Sequence, residues 1–155
     1  MVDTAATRAA AELGIDHEVV EYGPVGGLAE AAEKRGVPIP RIIKTLVVRG
    51  GDGDFLLVLV PGDRIIDWPR LRAHLGVGRL SLASEEEALA ATGYQRGAIT
   101  PLGTPQPLPI IADESITGLM SLGGGAHGVA IHGEASVLLP AVGAVVAAVT
   151  RLAEA

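Results

Sequence analysis

The sequence predicts an α+β fold in which helices flank a curled, barrel-like mixed β-sheet. Two apolar, β-branched runs, 42–48 and 55–60, enclose a Gly/Asp-rich turn and therefore predict a hairpin. Both runs are apolar at nearly every position, which indicates that both faces of the sheet are covered. Helical segments as well as hairpins separate the strands, an order typical of a mixed sheet. With 155 residues, the chain is expected to form a single domain over 1–155.

Capping residues and glycines delimit four predicted helices. Asp3 or Thr4 can cap the first, and Asp67 can cap the third. Ser84 with Glu87 three residues later forms a capping-box pattern for the fourth. With their caps, the predicted helices cover about 3–13, 28–35, 67–75 and 84–91.

Five further short segments read as strands, at 17–22, 80–82, 109–112, 120–122 and 129–132. The Gly- and Pro-rich stretch 94–109 is expected to lack regular structure. From residue 136 onward the pattern is ambiguous, because Pro140 and Gly143 interrupt it. Residues 145–149 fit a helix or a strand equally well.

The composition excludes several classes of function. The chain has no Cys, so disulfides, thiolate metal sites and Cys nucleophiles are excluded. No leader-like segment and no apolar run of about 20 residues is present, so we expect a cytoplasmic chain without a membrane partner. A formal net charge of −6 argues against a broad nucleic-acid surface and against DNA as a partner. A local basic pocket for one end of an RNA is still compatible with it.

Lys44 is one of only two lysines and lies within the apolar run 42–48. A buried ammonium without compensation is costly, so this position needs an explanation. The side chain could point outward at an edge and reach water. Alternatively, it could lie at the mouth of a pocket and hold a phosphate, a carboxylate or a developing oxyanion. The sequence favours neither interpretation.

Two glycine-containing segments are candidate ligand loops. Gly97-x-x-x-Pro101 lies in the irregular stretch, where backbone N–H groups could approach a ligand closely. The cluster 123–128 matches neither a P-loop nor a dinucleotide fingerprint. Taken alone, a structural loop is the commoner explanation of the first segment, and a tight turn is that of the second.

The remaining polar residues give weaker patterns. His127 and His132 are five residues apart without a third ligand nearby, so neither a metal nor another cofactor is expected. No serine lies in a Gly-x-Ser-x-Gly elbow, which disfavours a serine hydrolase. Asp113 could supply an acid, or it could cap a short helix.

Taken in order, these segments resemble the YbaK/ProX family of aminoacyl-tRNA deacylases, whose domain is also inserted in many bacterial prolyl-tRNA synthetases. The resemblance covers most of the chain. It rests on Ala31-Ala32-Glu33 before Gly36, Arg41-Ile42-Ile43-Lys44-Thr45-Leu46-Val47-Val48, Val60-Pro61-Gly62-Asp63, Ala83-Ser84-Glu85-Glu86, Thr92-Gly93-Tyr94, Gly97-Ala98-Ile99-Thr100-Pro101-Leu102-Gly103, Asp113-Glu114-Ser115 and the turn from Gly123 to Gly128.

The resemblance implies a deacylase that hydrolyses the ester of a mischarged aminoacyl-tRNA, with Cys or another small amino acid on tRNAPro as the expected substrate. Lys44 would position the 3′-terminal adenosine or the ester carbonyl, and the loop from Gly97 to Pro101 would place backbone groups beside the ester. Water, a tRNA hydroxyl or a cysteinyl thiol would attack, without a side-chain nucleophile. Catalysis would then depend on positioning and electrostatics.

The site residues implied by the resemblance fall into two groups. Tyr22 would border the pocket, although an ordinary half-buried strand end is the alternative, and Thr45 follows the lysine as in the cysteine-releasing branch of the family. The expected catalytic residues are Lys44, Gly97 and Pro101. The expected substrate-binding residues are Tyr22, Thr45, Ala98, Ile99, Thr100, Gly123 and Gly124.

The expected partners are the 3′ end of an aminoacyl-tRNA and prolyl-tRNA synthetase. The acidic net charge leaves two sources of tRNA affinity open: a local positive patch or the synthetase partner. The candidate patch consists of Arg41, Lys44, Arg49 and Arg96. A second function also stays open, a non-catalytic module of the same fold that binds aminoacyl-adenosine or a protein.

Overall fold

Five α-helices and ten β-strands make up the fold over residues 2–51 and 53–154, which are the residues described by the computed structural model. The helices are α1 Ala5–Glu12, α2 Leu28–Arg35, α3 Trp68–Leu75, α4 Glu85–Thr92 and α5 Ala135–Ala141. The strands are β1 Glu18–Glu21, β2 Ile43–Gly50, β3 Phe55–Pro61, β4 Arg64–Ile66, β5 Leu80–Leu82, β6 Ile110–Asp113, β7 Leu119–Gly123, β8 Val129–Glu134, β9 Val145–Ala147 and β10 Thr150–Leu152. A 3₁₀ turn over Ile39–Arg41 leads into β2.

The predicted hairpin forms the centre of a five-stranded sheet with the order β5-β2-β3-β6-β9. Strands β2 and β3 are antiparallel, whereas β6 is parallel to β3 and β9 is parallel to β6. The prediction of a mixed sheet is therefore confirmed. Asp52, in the predicted turn of this hairpin, lies outside the described residues.

Both faces of β3 are buried, as the apolar pattern predicts. Leu57 and Leu59 pack on one face into a cluster that includes Met120 and Leu138. Leu56, Val58 and Val60 pack on the other face, against residues of β4 and α3. Full burial of such a side chain contributes about 1.5–3 kcal/mol, so the hairpin contributes to two cores at once.

A second sheet, with the order β1-β8-β7, is entirely antiparallel. A single parallel bridge between Ile42 and Ser121 joins it to the start of β2. The two sheets curl around the core cluster that contains Met120, but they do not close into a barrel. This junction between the sheets lies next to the candidate site described below.

The four predicted helices are present, and their caps explain their ends. Thr4 caps α1 and forms a reciprocal capping box with Thr7. Asp67 accepts a hydrogen bond from the Arg70 N–H at the start of α3. Ser84 and Glu87 form the predicted capping box of α4. Helices α2, α3 and α4 end at glycines with positive φ.

The structure also defines the segments that the sequence leaves undetermined. Residues 135–141 form α5 even though Pro140 lies in its last turn. Residues 145–147 form a strand, β9, rather than a helix. Strands β4 and β10 pair with each other in a small third sheet that the sequence pattern does not reveal. No helix of the described ranges combines the length and the apolar composition needed to cross a bilayer.

Asp113 connects the last strands to the main sheet. One carboxylate oxygen accepts hydrogen bonds from the N–H groups of Val149 and Thr150, each at 3.0 Å. The other accepts the Ser115 N–H at 3.0 Å and the Ser115 hydroxyl, and the Arg64 Nε lies 3.7 Å away. Burial raises the pKa of this carboxyl, but these hydrogen bonds outweigh that effect and leave the pKa below its usual value. Asp113 therefore caps a turn and holds two elements together.

Candidate functional site

A cavity of about 400 Å³ opens along the free edge of β2. Strand β3 pairs with one edge of β2 over its whole length, whereas β5 covers the other edge only at Val48–Gly50. The cavity fills the uncovered part of that edge. Its walls come from β2, α2, the start of α4 and the loop after α4.

The uncovered edge presents backbone groups of Thr45 to the cavity. The Val47 carbonyl accepts a hydrogen bond from the Ala83 N–H at 2.9 Å, so Val47 faces the β5 side. In an antiparallel strand, alternate residues direct their N–H and C=O groups to the same edge, and Thr45 therefore shares that edge. Its side-chain hydroxyl is buried and has no hydrogen-bond partner in the structure. Thr45 thus offers backbone polar groups to a ligand in the cavity.

Lys44 is half-buried and lies in the cavity wall. Its Nζ donates a hydrogen bond to the Arg64 carbonyl at 2.8 Å, across the end of the hairpin. Burial lowers the pKa of this amine, and the negative charge of Asp63 acts in the opposite direction. Of the three N–H groups of an ammonium, two are left for a ligand after this one hydrogen bond.

Arg35, at the end of α2, lines the same cavity. Its guanidinium stacks over the Tyr22 ring, 4.8 Å from the ring centroid. One terminal nitrogen donates to the Tyr22 hydroxyl at 3.0 Å and the other to the Ser121 hydroxyl at 3.3 Å. Tyr22 therefore does not line the cavity itself but contacts Arg35, which does. The sequence pattern does not point to Arg35. Arg35 lies in the last turn of α2, where an arginine ordinarily faces water and stabilises the helix dipole. Its place in the sequence therefore does not suggest a binding role.

The loop from Gly97 to Pro101 is only partly exposed to the cavity. Gly97 and Ile99 line it, whereas Ala98, Thr100 and Pro101 are buried behind the loop surface. Gly97 has φ +91°, and a Cβ there would lie 3.2 Å from the His127 ring. Pro101 forms the wall of a separate depression together with residues of α1 and α5.

Gly123 and Gly124 do not line the cavity; Gly123 packs against the back of this loop, and Gly124 packs against Val129. A Cβ on Gly123 would lie 2.7 Å from the Ile99 carbonyl oxygen. A Cβ on Gly124 would lie 2.8 Å from the Val129 carbonyl oxygen. Both glycines therefore allow backbone segments to pack at a distance that any side chain would prevent.

The arginines expected around the pocket are only partly brought together. Arg96 lines the cavity and pairs with Glu85 at 3.0 Å. Arg49 pairs with Glu87 at 3.4 Å on the other side of α4. Arg41 donates to the Thr117 carbonyl and lines a different depression. The cations at the cavity are thus Lys44, Arg96 and the unexpected Arg35.

The two histidines considered as metal ligands, His127 and His132, lie apart. His127 packs against Gly97, whereas His132 lies in a row with Glu18 and Ser121 across β1, β8 and β7. Burial lowers the pKa of His132; the carboxylate of Glu18 opposes this effect and the charge of Arg35 adds to it. Over residues 2–51 and 53–154, no group of three or more His, Asp or Glu side chains has the arrangement of a metal site.

The fold and the cavity define a class of domain: the family of aminoacyl-tRNA editing domains matches residues 23–139, which include the whole cavity wall. This match covers more than half of the 155 residues. The chain belongs to the aminoacyl-tRNA editing domain family, and the family resemblance seen in the sequence is confirmed.

Curated relatives of the chain are proline–tRNA ligases. The ligase of Thermosipho africanus is 41% identical over 96 residues, which are 61% of this chain and 17% of the ligase. A ligase of Acidithiobacillus ferrooxidans is 31% identical over 134 residues, which are 84% of this chain and 23% of the ligase. The chain therefore spans less than a quarter of the length of these ligases.

Solved structures share the fold over nearly the whole chain. A proposed trans-editing enzyme for prolyl tRNA synthetase superposes with a TM-score of 0.88 and 29% identity, covering 97% of this chain and 99% of that one. A protein described only as hypothetical superposes with a TM-score of 0.87 and 27% identity, covering 95% and 99% of the two chains. The α+β architecture is thus shared with solved chains of nearly the same extent.

Proposed function

We propose that this chain is a trans-editing deacylase that hydrolyses the ester of a mischarged aminoacyl-tRNA, with tRNAPro carrying Cys or another small amino acid as its substrate. One observation carries the proposal. A single cavity gathers the open backbone edge at Thr45, Lys44 as a residue of its wall and the glycine of the Gly97 loop. Such a site offers donors to an ester and to the terminal adenosine without any activated nucleophile.

The attacking group in this proposal is water or a hydroxyl or thiol of the substrate. Two side-chain hydroxyls lie in the cavity wall, those of Thr45 and Ser84. The Thr45 hydroxyl is buried, and the Ser84 hydroxyl accepts a hydrogen bond from the Glu87 N–H at 3.1 Å as a helix cap. The Thr45 hydroxyl has no hydrogen-bond partner, and the carboxylate beside Ser84, that of Glu87, is engaged as the reciprocal partner of the helix cap. The hydroxyl, base and orienting group of an activated nucleophile are therefore not assembled at either residue.

The reaction follows from these positions. Water adds to the ester carbonyl, the bond from the carbonyl carbon to the ribose oxygen breaks, and a proton passes to that oxygen. Lys44 donates to the ester carbonyl or to the terminal adenosine, and backbone groups of Thr45 and Gly97 hold the aminoacyl group. Pro101 does not reach the cavity, so its proposed role is to position the end of the loop. Donors fixed in this way typically contribute about 10²–10³ in kcat.

The test is hydrolysis of tRNAPro charged with Cys, Ala, Ser or Pro, by the wild type and by Lys44→Ala. We expect release of one non-cognate amino acid and a loss of about 10²-fold in the variant. Lys34→Ala is a matched control, because Lys34 is the other lysine and is exposed in a pair with Glu30. Equal rates for both lysine variants would contradict the role of Lys44. Binding of the charged tRNA without any release would indicate the non-catalytic module instead.

Prolyl-tRNA synthetase is the proposed partner, since the net charge of −6 opposes tight binding of free tRNA. The tRNA affinity of the chain should increase when the synthetase is present. An affinity that is the same with and without the synthetase would count against this partnership.

A further inference from the structure

Arg35 lies in the cavity wall, and the groups that its guanidinium contacts are neutral. Its guanidinium contacts a phenol ring, a phenol hydroxyl and a serine hydroxyl. No carboxylate within the described ranges forms a salt bridge with it. By contrast, carboxylates pair with five other arginines of the chain: Arg8, Arg49, Arg64, Arg70 and Arg96. The positive charge of Arg35 is therefore held at the cavity without a counter-charge.

The guanidinium is held in a fixed orientation with donors to spare. Tyr22 and Ser121 take one hydrogen bond from each terminal nitrogen, which leaves one N–H on each of them. The Nε is buried and has no partner in the structure. The remaining N–H groups of the two terminal nitrogens form a fixed, planar fork that matches an anionic group with two oxygens.

The chemistry of the substrate then identifies the anion. In an aminoacyl-tRNA the carboxyl of the amino acid is esterified and its amine is neutral or positive. The anions at the acceptor end are therefore the phosphodiester groups of the RNA. Resting on the proposed function, we propose that Arg35 binds a phosphodiester group next to the 3′-terminal nucleotide and thereby holds the acceptor end of the RNA at the cavity.

The first test measures binding and needs no turnover. A fluorescent RNA hairpin ending in single-stranded CCA is titrated with the wild type, Arg35→Gln and Arg8→Gln over a series of salt concentrations. Arg8, on α1 and paired with Asp3, controls for the loss of one positive charge. We expect Arg35→Gln to weaken binding about tenfold, as for a lost charge-assisted hydrogen bond. The slope of its plot of log affinity against log salt concentration should be smaller in magnitude by about 0.7, which corresponds to one phosphate contact on a single strand.

The second test compares two substrates that differ in phosphate. Aminoacyl-adenosine carries the ester but no phosphodiester, so Arg35→Gln should hydrolyse it at nearly the wild-type kcat/KM. On the aminoacyl-tRNA the same variant should show an increased KM with little change in kcat, because it loses uniform binding. Arg35→Lys retains the charge but not the fork, and we expect it to keep the salt slope with a reduced affinity.

Each outcome decides the proposal. Equal binding and equal salt slopes for Arg35→Gln and Arg8→Gln would overturn it, as would no binding of the hairpin by the wild type at low salt. An equal loss on aminoacyl-adenosine would also overturn it and place Arg35 at the ester. If Arg35→Gln does not fold, an unchanged affinity of Arg35→Lys would reject the fork. A salt slope changed by Arg35→Gln, in a protein that hydrolyses neither substrate, would retain the phosphate site and reject the deacylase.

Discussion

Gly123 is the residue at which the Gly97–Pro101 loop meets the second sheet. A methyl group at this position would lie 2.7 Å from the Ile99 carbonyl oxygen and 3.3 Å from that of Ala98. Both atoms belong to the backbone, so the loop itself would have to shift. We expect Gly123→Ala to reduce the free energy of unfolding by about 1–3 kcal/mol and to move Ile99 relative to the cavity. Urea denaturation and the deacylation rate measure the two effects.

Gly78 provides the matched control for this prediction. A Cβ there meets no atom within 4 Å, and its φ is not in the positive range. Gly78→Ala should therefore leave the activity unchanged and be neutral or stabilising by about 0.4–1 kcal/mol. Equal stability and equal rates for the two alanine variants would show that the loop is not held by Gly123.

The sequence predicts residues of the cavity only where the adjacent residues in the chain make them stand out. Lys44 stands out because a charge interrupts an apolar strand, and Gly97 because a glycine and a proline bracket a loop. Arg35 gave no such signal, since its partners Tyr22 and Ser121 are 13 and 86 residues away. They come together where the second sheet meets the start of β2, at the bridge between Ile42 and Ser121. A cation held by distant neutral partners is therefore visible in the structure alone.

At the scale of elements, the start of α4 links helix stability to the cavity. Ser84 caps this helix and also lines the cavity, whereas Asp67 caps α3, outside the cavity. Ser84→Ala and Asp67→Ala should each reduce the free energy of unfolding by about 1 kcal/mol. Only Ser84→Ala should also increase KM, because fraying at the start of α4 loosens one wall of the cavity. Denaturant midpoints and steady-state kinetics check both expectations, and an equal change in KM for the two variants would contradict the second.

The elements that could be predicted are those with local signals. Caps, terminal glycines and the β-branched hairpin indicate α1 to α4 and the strands β2 and β3 correctly. Strands β4 and β10 have three residues each and form through their pairing with each other, 86 positions apart in the chain at Ile65 and Arg151. Helix α5 was undetermined because Pro140 reads as a breaker, yet it lies in the last turn. Contacts between residues far apart in the chain determine the secondary structure of these segments, and a local sequence pattern does not reveal such contacts.

At the scale of the whole molecule, the distribution of charge matters more than its sum. The chain carries 18 acidic and 12 basic residues, and a carboxylate pairs with five of its ten arginines. At the cavity, by contrast, Lys44 donates to a carbonyl and Arg35 to hydroxyls. An acidic protein can therefore present a small positive site, which suits recognition of one RNA end rather than of a long duplex.

Two buried groups couple the stability of the whole fold to pH. Burial and the charge of Arg35 hold the pKa of His132 below its ordinary 6.5, although Glu18 acts against them. Asp113 is nearly fully buried, and its hydrogen bonds hold its pKa below the ordinary 3.8. In both cases the unfolded chain binds the proton more readily than the folded chain. Stability from both groups is therefore complete at neutral pH and is lost as the pH falls.

The loss should occur in two separate windows, which identifies the group responsible for each. As the pH falls below about 6.5, His132 is protonated in the unfolded chain first, and the free energy of unfolding decreases; His132→Gln should remove this first decrease.

Below about 3.8, the same argument applies to Asp113, whose charge holds the N–H groups of Val149 and Thr150. Asp113→Asn should remove the second decrease and lower stability at neutral pH, because only one of its two terminal atoms accepts and its NH2 group must face the N–H of Ser115 or those of Val149 and Thr150. Urea midpoints from pH 3 to pH 8 measure both windows. A first decrease that persists in His132→Gln would mean that another group causes it, and an Asp113→Asn variant as stable as the wild type at pH 7 would show that the carboxylate does not hold β10 to β6.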